Sequence, residues 1–179
     1  MFREHGIDVS VAEIADAAGV GRGTLFRNFR SKDHLIAAVV SERMQEAVSG
    51  GRMLLNSSGD DAELAFTFIT EIVVRQQENR ALLEAASDEF LVYPEVCEAH
   101  DAFFRLLADV VKRSQDAGSV RPEITPMDVM LLIKGMCMPS FLPEPDADVV
   151  LRQIDLIRAA LSTPAYSRPL RGTPPPVPA

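Results

Sequence analysis

Tryptophan is absent from this chain, tyrosine occurs twice, and the 179 residues hold only two cysteines and three histidines. These scarcities narrow the chemistry. Cys97 and Cys137 lie far apart in no redox or metal spacing, which excludes a disulfide framework and suits a reduced compartment. Cys97 and His100 sit near Glu95, Glu98 and Asp101, but a second histidine or cysteine at helical spacing is missing, so no metal site is expected. His5, His34 and His100 are scattered, and no grouping of serine, histidine and acid suggests hydrolysis. Neither an enzyme nor a cofactor is expected. No apolar run approaches the roughly 20 residues needed to cross a bilayer, and Met1 to Gly6 lack the apolar region of a signal peptide. A cytoplasmic protein with no membrane partner is expected.

Length and composition, 47% hydrophobic and 25% charged, are those of a globular protein with a real core. The net charge of −8 is unevenly spread. From Met1 to Arg52 seven basic residues balance seven acidic ones, so the whole excess of acid lies beyond Arg52. Within the neutral part, Gly21 to Lys32 holds Arg22, Arg27, Arg30 and Lys32 with no acid among them. A polyanion is tolerable only at this end of the chain.

Helical periodicity dominates and no segment shows sustained period-two alternation, so the fold class is all-α. Ser10-Val11-Ala12-Glu13 has capping-box form and predicts a helix from Val11. Val11, Ile14, Ala15 and Ala18 form its buried stripe, and Gly19 supplies the positive φ for a sharp stop. A second helix is predicted from about Gly21 to Phe29, with Leu25 and Phe29 inward and Gly23, Thr24, Arg27 and Asn28 on the opposite face. Ser31 caps a third helix running to about Ser49, after which Gly50-Gly51 punctuates the pattern. Further helices are predicted over about 61–78, about 82–90, 94–117, about 125–142 and about 146–162. The helix beginning at Pro126 is apolar nearly all round and must be covered on every side. The tail 164–179 is proline-rich and expected to be disordered.

Two short helices joined by a tight glycine turn, the second with a small, polar and cationic outer face, make a helix-turn-helix over about 10–29. Residues 6 to 39, GIDVSVAEIADAAGVGRGTLFRNFRSKDHLIAAV, resemble the DNA-binding module of TetR-family transcriptional regulators, whose signature has the spacing IA-x-x-AGV-x-x-GTLY-x-HF-x-SK-x-x-L. The resemblance implies a DNA-binding domain at 1–47, an effector and dimerisation domain at 48–163, and the tail 164–179. Arg22, Gly23, Thr24 and Arg27 would face bases or nearby phosphates of a palindromic operator in double-stranded DNA. Ser10, Phe26, Asn28 and Lys32 fall where the family anchors the backbone. A homodimer through about 125–142 and 146–162 is implied, as is repression relieved by a small apolar effector. Phe66, Phe90, Phe103, Phe104, Met130 and Met136 fit either an effector pocket or plain core, since both share this composition.

Three departures stand out. Phe26 and Asn28 replace the family's usual tyrosine and histidine, and Phe26 has no hydroxyl for a phosphate. The family also has a longer first helix before the glycine equivalent to Gly6, where this chain has only Met1 to His5. The expectation is a truncated first helix with the true start upstream, or else a dimeric sensing protein that no longer binds DNA tightly.

Overall fold

The computed structural model describes residues 10–57, 59–78, 88–137 and 147–171. Among these residues seven α-helices and two short 3-10 turns form the fold, with no strand beyond an isolated bridge between Val120 and Ser162. The fold is all-α.

Helix α1 is Val11–Ala17, and its start is set by the side chains named above. The Glu13 amide donates to Ser10 Oγ at 3.2 Å, and the Ser10 amide donates to Glu13 Oε2 at 2.8 Å. Gly19 then turns the chain at φ 66°, where a Cβ would be strained. Helix α2 is Arg22–Asn28, and α3 is Lys32–Asn56, capped by Ser31, whose Oγ accepts from the His34 amide. Ile14, Leu25 and Leu35 bury together at the meeting of these three helices, with Val11, Phe29 and Val39 packed around them. Ala18, expected in the buried stripe, lies exposed beyond the end of α1.

Helix α3 does not stop near Ser49. It continues through Gly50 and Gly51 to Asn56, because here glycine serves packing and not a turn. An added Cβ at Gly51 would come within 2.5 Å of Leu106 Cδ2 and 2.6 Å of Phe68 Cε2. The bare backbone therefore lets α3 lie closely against α4 (Leu64–Glu78) and α5 (Pro94–Asp116). Arg113 of α5 closes the far end of α3, binding the Leu55 carbonyl and the Asp61 carboxylate.

Helix α5 begins at Pro94, which suits the first turn, and ends before Gly118 at φ 77°. Helix α6 is Pro126–Cys137 and α7 is Ala147–Leu161. The principal core joins Val48 of α3 to Phe68, Ile69 and Val73 of α4, Leu107 and Val110 of α5, Val129 and Ile133 of α6, and Ile154 and Leu161 of α7. A smaller cluster sets Ile36, Ala37 and Val40 of α3 against Phe90 and Val96. Buried Ser41 fastens the same joint, donating to the Glu95 carbonyl at 3.0 Å.

The helix predicted over about 82–90 falls mostly outside the described residues, and Asp88–Val92 is a 3-10 turn. Of the tail expected to be disordered, Pro164–Arg171 follows a defined path. Its first step is a clasp in which the Arg121 amide donates to the Leu161 carbonyl and the Thr163 amide to the Ser119 carbonyl. Arg168 then pairs with Glu63, and Arg171 with Asp155. Residues 172–179 lie outside the described residues.

Candidate nucleic-acid interface

The outer surface of α2 is cationic, polar and free of steric cover. Arg22, Gly23, Thr24, Phe26, Arg27 and Asn28 are all exposed, while Leu25 alone of this helix is buried. Nothing lies within 4 Å of the place a Gly23 Cβ would occupy, so the backbone there can be approached closely by a large partner. Arg22 stands in the first turn, where a cation opposes the helix dipole. Packing among the described residues gives no reason for it.

The side chains of this surface are arranged along the helix. Arg27 Nε donates to the Gly23 carbonyl at 3.1 Å, its Nη2 lies 3.4 Å from Thr24 Oγ1, and Asn28 Nδ2 donates to the Thr24 carbonyl at 2.9 Å. Each donor faces a weak, exposed acceptor on its own helix, and exchanging that acceptor for a phosphate or a base edge costs little desolvation. Among the described residues no carboxylate pairs with Arg22, Arg27, Arg30 or Lys32. Such cations suit a polyanion. Arginine can pair bidentately with guanine, and threonine can touch a thymine methyl or a phosphate.

The anchoring positions differ among themselves. Ser10 is exposed, but its hydroxyl is already the acceptor of the α1 cap, leaving its proton for an outside oxygen. Phe26 is 54% exposed, an apolar ring at a surface where a hydroxyl would find a phosphate. Lys32 opens α3 and adds its charge to the positive end of that helix.

Five of the six residues weighed as pocket or core have described side chains, and these lie in different surroundings. Phe103 and Met130 are buried in the principal core, Phe104 packs half-buried against it, and Phe90 belongs to the separate cluster on α3. The Met136 side chain lies outside the described residues. Phe66, buried in the principal core as well, lines a shallow cleft with Ile69, Thr70, Ile154, Asp155, Ile157, Arg158 and Arg171. Sequence periodicity missed its polar members, because Asp155 and Arg158 lie on the edge of an amphipathic stripe where charged residues ordinarily face water. Among the described residues no group of three or more histidine, cysteine, aspartate or glutamate residues could hold a metal, and no helix is long and apolar enough to cross a membrane.

A helix-turn-helix carried by a long helix into an α-helical bundle defines a class of DNA-binding regulator. Comparison with known proteins places the chain within that class. Residues 1–39 match the family described as bacterial regulatory proteins, tetR family, and residues 60–161 match the C-terminal domain of SbtR-like transcriptional regulators. The chain belongs to the TetR family of transcriptional regulators. Among solved structures, a TetR transcription regulatory protein from Mycobacterium vanbaalenii is 27% identical, with a TM-score of 0.64 over 90% of this chain and 88% of that one. Two others share the fold. A TetR transcriptional regulator from Streptomyces coelicolor is 23% identical with a TM-score of 0.67, covering 91% of this chain and 93% of that one. The ketosteroid transcriptional regulator KstR2 of Mycobacterium tuberculosis is 17% identical with a TM-score of 0.61, covering 91% and 90%.

Proposed function

We propose that this protein is a ligand-responsive, homodimeric, cytoplasmic repressor that binds a palindromic operator and is released from it by a small effector. The observation that carries the reading is the outer face of α2, where Arg22, Gly23, Thr24 and Arg27 are exposed on a helix held from behind by Leu25. These four residues meet base edges and nearby phosphates in the major groove. Ser10, Phe26, Asn28 and Lys32 flank them at the DNA backbone.

Dimerisation is supported by the surface of α6 and α7. Met127, Leu131 and Gly135 recur every four residues on α6, with Met127 51% and Leu131 59% exposed, and Leu156 of α7 is exposed as well. An apolar stripe ending on a glycine suits close approach of a second copy. Two recognition helices then stand about 34 Å apart, one turn of DNA. Coupling to the effector is supported by the joint between α3 and the bundle. Because Ile36, Ala37 and Val40 pack on Phe90 and Val96, a ligand that shifts the bundle also shifts the helix carrying the reading head.

The test is a gel-shift titration of the full chain on the DNA upstream of its own coding region. Binding that weakens steeply as salt rises is expected, with log affinity falling by about 0.9 per phosphate neutralised for each unit of log salt. Arg27→Ala should cost about 1–3 kcal/mol and relax sequence preference. Wild-type binding that ignores salt would refute phosphate contacts, and unchanged Arg27→Ala affinity and preference would remove Arg27 from the reading face. Absence of binding would favour a dimeric sensor without an operator, a reading to which the missing hydroxyl at Phe26 lends support.

A further inference from the structure

Asp155 is a bundle carboxylate whose position the reading of DNA leaves unexplained. It lies on α7 beside Ile154 and is only 6% exposed. An unpaired carboxylate at such a place is costly, so a cation is required next to it. That cation does not come from the bundle. Arg171, ten positions beyond the end of α7, supplies it from Nε at 2.8 Å to Oδ2, from Nη2 at 2.7 Å to Oδ1, and from its backbone amide at 2.7 Å to Oδ2. The Arg171 side chain remains 63% exposed. One member of the pair is thus built into the core wall, and the other is lent by the tail.

The pair stands in the cleft walled by Phe66, Ile69, Ile154 and Ile157. Arg158, the other cation there, gives both terminal nitrogens to Glu63, while its Nε is buried without a hydrogen-bond partner. It pairs bidentately with Glu63 at 2.8 and 2.6 Å, and its guanidinium lies 4.0 Å from the centroid of the Phe66 ring. Arg168 reinforces Glu63 from the tail at 2.8 Å. Removing Arg171 alone therefore leaves Glu63 neutralised and Asp155 without a hydrogen-bonded cation, with only the through-space charge of Arg158 nearby. The space so created is anionic at its head, with walls that mix Phe66, Ile69, Ile154 and Ile157 with Thr70 and Arg158.

We propose that this cleft binds a small organic cation, a guanidinium or primary ammonium on an apolar body, with Arg171 acting as an internal competitor for Asp155. A guanidinium head reproduces the two-toothed contact that Arg171 makes, and the body covers the apolar walls. As it stands the cleft has room for no more than a few water-sized groups, so a ligand enters only by taking the place of the Arg171 side chain. Substituting one cation for another leaves the charge balance of the cluster unchanged. An anion, by contrast, would find the terminal nitrogens of Arg158 and Arg168 paired with Glu63 and only the buried Arg158 Nε left to donate. The proposal deepens the effector reading and rests on it for regulatory meaning, whereas binding itself is measured without DNA.

The experiment is calorimetric titration of the full chain with 2-phenylethylguanidinium, and with phenylacetate as an anionic counterpart on a similar body. A competitor on so short a tether stands at an effective concentration in the millimolar range. Arg171→Ala should therefore bind the guanidinium about tenfold more tightly than wild type, and Arg171→Lys should restore most of the competition. Asp155→Asn should abolish binding in a chain whose circular dichroism is unchanged. If that variant fails to fold, the comparison of wild type with Arg171→Ala and Arg171→Lys decides, each variant with its circular dichroism unchanged from wild type. Equal affinity of wild type and Arg171→Ala, or phenylacetate binding Arg171→Ala as tightly as the guanidinium does, would overturn the proposal. Because no DNA is present, a negative result leaves operator binding untouched.

Discussion

Neighbouring glycines in the middle of α3 should respond to the same substitution with opposite signs. Both are helical, and neither has a positive φ, so alanine introduces no backbone strain at either. Gly50→Ala places a Cβ whose nearest neighbour is an Arg75 guanidinium nitrogen at 3.9 Å, an ordinary contact. The substitution removes the entropic cost of a mid-helix glycine and should stabilise by about 0.5–1 kcal/mol. Gly51→Ala gains the same propensity, but its Cβ meets Leu106 Cδ2 at 2.5 Å and Phe68 Cε2 at 2.6 Å. Neither neighbour can swing into solvent, because both are buried among the principal core residues. Overpacking of this kind costs about 1–3 kcal/mol, so the net should be a loss of about 1–2 kcal/mol. Urea unfolding at fixed protein concentration measures both. The midpoints should move in opposite directions, with melting temperature changing by about 2–4 °C per kcal/mol in a chain of this size. If Gly51→Ala is as stable as wild type, α3 does not press on α4 and α5 as described, and the reason given for its passage through Gly50-Gly51 fails.

Three further outcomes are expected. Leu131→Glu places a charge in the middle of the exposed α6 stripe and should shift sedimentation toward monomer and weaken operator binding together; an unchanged sedimentation coefficient would rule that stripe out as the dimer contact. Phe26→Tyr adds a hydroxyl at the proposed DNA-backbone position and should tighten operator binding about three- to tenfold, as expected for one hydrogen bond worth about 1 kcal/mol, with no gain if Phe26 stands away from phosphate. The Arg158 hydrogen bonds hold the Glu63 carboxyl below its usual 4.5, and those from Arg171 hold Asp155 below its usual 3.8. Carboxyls depressed in the folded state contribute stability that is fully present above those ordinary values and is lost as pH falls through the lower folded ones. Urea midpoints should therefore hold from pH 7 to about 5 and drop below about 4, and Glu63→Gln should flatten part of that drop.

Local rules carried the reading of the head. The capping box at Ser10 and Glu13, the positive φ at Gly19, and the separation of Leu25 from Thr24 and Arg27 each depend on a handful of consecutive residues, and each stands in the structure. The Pro94 start and the Gly118 stop of α5 were legible for the same reason. Gly50-Gly51 was misread as punctuation because a glycine's role depends on what stands beside it, and Leu106 and Phe68 are far away in sequence. Of the residues weighed as a pocket, Phe66, Phe103, Phe104 and Met130 gather at the principal core and Phe90 at the cluster on α3, since side-chain composition does not say which helix faces which.

By itself the sequence determined the helical class, the reading head with its cations, and the location of the acid excess, all of which follow from spacing along the chain. The tertiary structure alone decided that α3 runs unbroken to Asn56, that Phe66 lines a cleft while Phe103 fills the core, and that Arg171 returns to Asp155. Those facts depend on which distant surfaces meet. The energy that selects them, burial and ion pairing between residues remote in sequence, leaves no periodic trace along the chain.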